Sequence, residues 1–161
     1  MEFGMENKQL VIDYVEYRSL QEMPEADRRL MELAMEATGS AYVPYSHFRV
    51  GAAVRLADGT VVQGSNQENI AYPSGLCAER TALFGSSVRC PDQAVEALAV
   101  VGYHEGSFTE ASPCGACRQV MSEYEMRYNN EITIFCYLLG GRIRKVCGVK
   151  SLLPFAFDAD L

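Results

Sequence analysis

Residues 95–103, VEALAVVGY, make an almost unbroken apolar run, and a strand of that composition is stable only when both of its faces are covered. The flanks supply such cover. Upstream, CAERTALFGSSV from Cys77 has helical composition, and downstream PCGACRQVMSEY reads as a helix opened by Pro113. An earlier run, EADRRLMELAMEATG, sets Leu30, Leu33, Ala34 and Ala37 on one stripe. It begins after Pro24 and stops at Gly39, matching the preference for Pro at a helix start and Gly just past its end. Two hairpins complete the pattern. HFRVGAAVRL alternates Phe48, Val50, Ala52, Val54 and Leu56 against His47, Arg49 and Arg55, then meets an Asp58-Gly59 turn and the β-branched Thr60, Val61 and Val62. EITIFCYLL and RIRKVCGV are strands on either side of Gly140-Gly141. The order helix, hairpin, helix, strand, helix, hairpin predicts an α/β fold, a sheet of about five strands with helices packed on its faces.

The 161 residues, 48% of them hydrophobic and 22% charged, suit one domain of ordinary size. A chain this long buries roughly two-thirds of the surface its unfolded form exposes, so folding needs neither disulfides nor metal, and a bound metal would serve chemistry. Residues 1–22 are polar and weakly patterned, with Val11, Ile12, Tyr14, Val15 and Tyr17 giving at most a short element. They are expected to form a loosely attached, weakly structured extension to a single domain over residues 23–161. Fourteen Lys and Arg against 21 Asp and Glu give a net charge of -7 without a basic run, which disfavours a nucleic-acid partner. No apolar stretch approaches the roughly 20 residues of a membrane span, and the start MEFGMENKQ lacks the basic-then-apolar order of a signal peptide. No membrane partner and a cytoplasmic location are therefore expected. Six cysteines in such a chain are then thiols or metal ligands rather than a disulfide framework.

Their spacing carries the chemistry. Cys114 and Cys117 form a Cys-x-x-Cys pair behind Pro113, and Cys77 opens the preceding helical run. Three thiolates leave a zinc site open at one position, as catalytic sites are, whereas structural sites are usually closed by four protein ligands. Cys90, Cys136 and Cys147 remain candidates for a fourth ligand, and otherwise read as buried or partly buried thiols. By itself the pair suits a redox couple or ordinary core cysteines as well as a metal. Glu79 shifts the balance, because Cys-Ala-Glu puts a carboxylate within reach of a water on the metal without making it a ligand. The order Cys-x-Glu, then Pro-Cys-x-x-Cys, is the signature of the zinc deaminases in its three-cysteine form. Helix N-termini at Cys77 and Cys114 would offset the negative charge that three thiolates gather around Zn²⁺. His47 and His104 lack spacing to this ligand set.

Four stretches resemble the small, homotetrameric cytidine deaminases: PYSHFRVGAAV (44–54), SNQENIAYPSGLCAERTAL (65–83), SPCGACRQVMSEY (112–124) and LLPFAF (152–157). The resemblance runs from about residue 42 to residue 157. It implies a three-layer fold, a mixed sheet with helices on both faces, and one Zn²⁺ per chain on Cys77, Cys114 and Cys117. The implied activity is hydrolytic deamination of cytidine and deoxycytidine to uridine and deoxyuridine with release of ammonia, in pyrimidine salvage. Glu79 would take a proton from the attacking water, protonate ring N3 and then the leaving amine. Arg80 would donate to the sulfurs. For this small-molecule substrate, Asn66 and Glu68 would hold ribose hydroxyls, Phe48 would lie against the nucleoside, and the backbone of Ala78 would meet the pyrimidine. Tyr72 and Phe157 match positions through which neighbouring subunits of a homotetramer complete one another's sites. The chain departs from the family in its longer N-terminal extension, in Ser74 where a larger apolar residue is common, and in the link GSSVRCPDQAV. These leave room for a deaminase of another aminopyrimidine nucleoside, such as a nucleoside antibiotic. An inactive deaminase-fold zinc-binding protein is the other alternative, and the presence of Glu79, Asn66 and Glu68 speaks against it.

Overall fold

The structure, a computed structural model, describes residues 4–158. In chain order its elements are β1 (Val15–Tyr17), α1 (Glu25–Ala37), β2 (Arg49–Leu56), β3 (Val61–Ser65), α2 (Ala78–Arg89), β4 (Val95–His104), β5 (Ser107–Thr109), α3 (Gly115–Tyr128), β6 (Thr133–Tyr137) and β7 (Ile143–Cys147). The strands form one sheet in the order β1-β7-β6-β4-β2-β3, with β5 on the end of β4. β4 and β6 run parallel and the other pairs antiparallel, so the sheet is mixed.

Side-chain alternation along β4 divides the core. Ala97, Ala99 and Val101 pack with Leu30, Met31 and Ala34 of α1 on one face. Leu98 and Val100 pack with Leu83 of α2 and with Cys117 and Met121 of α3 on the other. This is the coverage of both faces that the apolar run requires. Because β2 is antiparallel to β3 and to β4, and β4 is parallel to β6, strands β3, β4 and β6 all point the same way. The helices that follow β3 and β4 therefore begin at the same edge of the sheet. Among the described residues no helix is long and apolar enough to cross a membrane.

Helix contact with the β2–β3 hairpin is backbone against backbone. A Cβ at Gly51 would strike the carbonyl of Ala34 in α1, and one at Gly64 would strike the Ala82 amide and the Ala78 carbonyl of α2. The two glycines belong to adjacent register pairs, Gly51 with Ser65 and Ala52 with Gly64, and thus face opposite sides of the sheet. Each lets one helix settle directly on the strands.

Three features differ from expectation. The sheet has seven strands rather than about five. The two additions are short: β5 folds back through Glu105 and Gly106, both at positive φ (50° and 83°) as in a two-residue hairpin turn, and β1 pairs with β7. Glu16 fastens β1 by accepting from Arg142 at 3.0 Å and from Arg144 at 2.9 and 3.1 Å. On α1 it is Met31, not Leu33, that is fully buried, since the helix turns its Leu30–Met31–Ala34 edge to the sheet. Cys147 is exposed, opposite Thr133, while Cys136 is buried opposite Arg144. Within the expected N-terminal extension, residues 4–14 contain neither helix nor strand. Residues 1–3 of that extension and residues 159–161 of the expected domain lie outside the described residues.

Gly64→Ala is expected to lower stability by about 1–3 kcal/mol through overpacking and to reduce metal content, because the first turn of α2 must move off the sheet. Gly85→Ala is the contrasting case. Its Cβ would sit in ordinary contact, 3.6 Å from Val62, so the helical preference for Ala should raise stability by about 0.5–1 kcal/mol. Thermal unfolding of both variants checks the opposite signs.

Candidate metal centre

Cys77 and Cys114 occupy the same position on two helices. Each is the N-cap residue, of α2 and α3 respectively, with extended backbone (ψ 155° and 168°) and no side-chain capping bond. Their sulfurs are therefore free to face each other, 3.7 Å apart. Cys117, buried in the first turn of α3, brings its sulfur to 3.5 Å from that of Cys114. All three lie within 4.8 Å of one another, and among the described residues this is the group of His, Cys, Asp or Glu donors so clustered. A tetrahedral zinc ion with Zn–S bonds of about 2.3 Å spaces its sulfurs about 3.8 Å apart, so the donors fit the ion in type and distance. Cys90, Cys136 and Cys147 are not in the cluster, which leaves one coordination position without a protein ligand.

The local charges favour a cation. Hydrogen bonding from Cys117 and Arg80 pulls the Cys77 thiol down to about 5, while the same contact with Cys77, together with burial, pushes Cys117 up. Arg80 Nη2 donates to Cys77 Sγ at 3.6 Å, and its Nε is buried without a partner among the described residues. Glu79, only 3% exposed, sits between Cys77 and Arg80 in sequence. Burial, reinforced by repulsion from Cys77, raises its carboxyl to about 7. Such a group gains and loses a proton near neutral pH, the property required of a general acid–base.

Cys77 and Arg80 also line a cavity of about 590 Å³ that opens beside the cluster. Asn66, Glu68 and Tyr72 line it too. Asn66 Oδ1 accepts from the Val50 amide at 2.8 Å and its Nδ2 donates to the Phe48 carbonyl at 3.0 Å. Glu68 accepts from the amides of Tyr45 and Ser46 at 2.9 and 3.3 Å, and bonding from the Ser46 hydroxyl holds its carboxyl below the usual range. Ala78 is buried at the start of α2. Phe48 is not among the cavity-lining residues; its ring rests over Gly102 and against His104, with centroids 5.6 Å apart. Phe157 also lies outside the lining. Tyr45 and Ser46 were not expected in the site. A Pro-Tyr-Ser sequence before an alternating strand signals a turn, and only the fold reveals that it meets Glu68, with the Tyr45 ring edge-on to Tyr72 at 6.1 Å.

A three-layer α/β protein with an open three-thiol centre and a buried carboxyl beside it is the class that these features define. Residues 24–130 match the family model described as the cytidine and deoxycytidylate deaminase zinc-binding region. The chain is 43% identical over 132 residues to the cytidine deaminase of Sporosarcina psychrophila, covering 82% of this chain and 91% of that protein. The crystal structure of a cytidine deaminase from Burkholderia pseudomallei superposes with a TM-score of 0.71 at 39% identity, covering 84% of this chain and all of the other. A blasticidin-S deaminase from Bacillus cereus is also similar, at 30% identity over 142 residues, 83% of this chain and 94% of that protein. This chain belongs to the zinc-dependent cytidine and deoxycytidylate deaminase family.

Purified protein should contain about one zinc per chain. Elemental analysis should find the content near zero in Cys114→Ala, because two remaining thiols cannot hold the ion tightly; unchanged content in that variant would remove Cys114 from the ligand set.

Proposed function

We propose that the chain catalyses hydrolytic deamination of cytidine and deoxycytidine, converting the C4 amine and water to a C4 carbonyl and ammonia. The observation that carries this reading is the Glu79 carboxyl, buried in the first turn of the helix that Cys77 caps and beside three converging thiols. Zinc on Cys77, Cys114 and Cys117 supplies the Lewis acidity that activates water at neutral pH.

The chain's own groups do the rest. Glu79 takes one proton from the attacking water and delivers it to ring N3 so that C4 becomes electrophilic, then takes the second proton from the hydroxyl added at C4, which becomes the carbonyl, and delivers it to the departing amine. Its burial suits this task, since a solvated glutamate would stay ionised and lose the second half of the cycle. Arg80 donates to the Cys77 sulfur and, with the helix N-termini, draws negative charge from the thiolates. Asn66 and Glu68 hold ribose hydroxyls and the Ala78 backbone meets the pyrimidine, while Phe48, whose ring rests over Gly102 outside the cavity lining, is assigned to the nucleoside on the sequence resemblance. Support for the first pair is their position on the cavity wall beside Cys77 and Arg80.

Pyrimidine salvage, a cytoplasmic location and a homotetramer belong to the same reading, with one catalytic domain over residues 23–161. The tetramer is supported by Tyr72 and Phe157, large aromatics left 77% and 87% exposed in the single chain. Pyrimidine salvage rests on the sequence resemblance, and the location on the sequence expectation given above. Deamination of a nucleoside antibiotic is the weaker reading, because the blasticidin-S deaminase is 30% identical against 43% for the cytidine deaminase.

Ammonia release from cytidine, deoxycytidine, cytosine, cytidine monophosphate and adenosine tests the substrate class. Cytidine and deoxycytidine should be turned over and free cytosine should not, since without a sugar the contacts from the remaining bonding capacity of Asn66 and Glu68 are lost. Equal efficiency on cytosine and cytidine would contradict the sugar contacts. Glu79→Gln should keep its zinc and its melting temperature yet lose roughly 10²- to 10⁴-fold in kcat, because the near-isosteric amide cannot carry the proton. Near-normal turnover would remove Glu79 from the chemistry.

A further inference from the structure

The C-terminal segment is tied to the metal-bearing helix by side chains that no step above uses. Arg118, one residue past Cys117, folds back so that Nε donates to the Pro113 carbonyl at 2.8 Å. Its Nη1 donates to the Leu152 carbonyl at 2.7 Å. The next residue, Gln119, donates from Nε2 to the Phe157 carbonyl, also at 2.7 Å. Further along α3, Glu125 accepts from the Val149 amide at 2.9 Å and so fixes where the segment begins. Among the described residues, the hydrogen bonds that reach residues 152–158 from outside the C-terminal segment come from Arg118 and Gln119.

The placement joins two things that are separate in sequence. Pro113 immediately precedes Cys114, and its carbonyl lies ahead of the first turn of α3, where no backbone amide of the helix serves it. Arg118 serves it from one turn inside the helix. The same guanidinium then holds Leu152, which packs on the core beneath α2 and α3. A cation that fixes Cys114 and Cys117 also fixes the first turn of α3, which Arg118 closes and Gln119 follows. Conversely, an ordered tail holds the Arg118 head group in place for Pro113. Two events that share one structural element in this way stabilise each other by the same factor.

The geometry points to Arg118 and Gln119 as positioning residues that couple zinc retention at Cys114 and Cys117 to the order of residues 152–157. The inference rests on the zinc reading of the three thiols. It adds that the tail, which supplies none of the three clustered sulfurs, sets how long the metal stays.

The test uses the full-length zinc-loaded protein. Zinc release to an excess of a chromogenic chelator is followed alongside amide hydrogen exchange of residues 150–158, with β4 as internal reference, in the parent and in Gln119→Ala, Arg118→Lys and Arg118→Met. Losing one hydrogen bond should accelerate both zinc release and tail exchange about 3- to 10-fold relative to β4. Arg118→Lys, which keeps one donor, should fall between the parent and Arg118→Met. A tail that exchanges faster in Gln119→Ala while zinc leaves at the parental rate overturns the coupling and leaves the zinc reading intact. Zinc release that speeds up with no change in tail exchange overturns it equally. A parent protein that binds no zinc defeats the zinc reading and the coupling together.

Discussion

Three strands that point the same way determine where chemistry can occur in this molecule. β3, β4 and β6 share a direction, although β3 and β4 are not neighbours, because β2 lies between them antiparallel to both. The segments following β3 and β4 emerge at one sheet edge, and each turns there into a helix on the same face. Outside the carboxyl ends of strands is where open α/β sheets bind ligands. What is particular here is that both helices begin with a cysteine at the N-cap, so two N-termini and their unpaired amides converge on one small volume. Gly64 makes the convergence close, since any side chain there would lift α2 away from the sheet.

Convergence creates an electrostatic problem together with its solution. Three sulfurs within 4.8 Å cannot all be thiolates without a cation, because like charges this close oppose one another's ionisation. Arg80 and the helix ends relieve part of it, and a divalent ion relieves the rest. Glu79 is on the same helical turn but buried, so the field that favours thiolates does not keep its carboxyl ionised. One turn of helix thus carries a soft ligand, a neutralisable carboxyl and a fixed cation. Their different behaviour follows from depth: Cys77 and Arg80 border the cavity, and Glu79 does not.

Much of this was legible in the residues because it depends on local patterns. Pro24 and Pro113 mark helix starts, Asp58-Gly59 and Gly140-Gly141 mark turns, and Cys-Ala-Glu with Cys-x-x-Cys names the centre. The features missed depend on distant partners. β1 is a strand because Glu16 meets Arg142 and Arg144, which stand at the opposite end of the chain. β5 needs Glu105 at positive φ, a conformation that its residue type does not advertise. Tyr45 and Ser46 enter the site only because Glu68 accepts their amides across the cavity wall. The choice of Met31 over Leu33 on α1 is a matter of helix rotation against Gly51, which periodicity resolves no better than one residue.

That last class of contact also explains how a small chain presents an ordered pocket. Asn66 and Glu68 each commit part of their bonding capacity to backbone at the start of β2 and in the loop before it, and each retains capacity for more. The amide of Asn66 keeps a second hydrogen and a second lone pair, and the carboxylate of Glu68 keeps an oxygen. Side chains held in this way lose little freedom when a ligand arrives, so contacts to a sugar would not be offset by the ordering of floppy groups. The same economy operates at the metal, where Arg80 bonds Cys77 and retains a buried Nε. In both places the side chain on the cavity wall is first a member of the scaffold. The single chain therefore orients these side chains by itself, while the rings of Tyr72 and Phe157 stand 77% and 87% exposed.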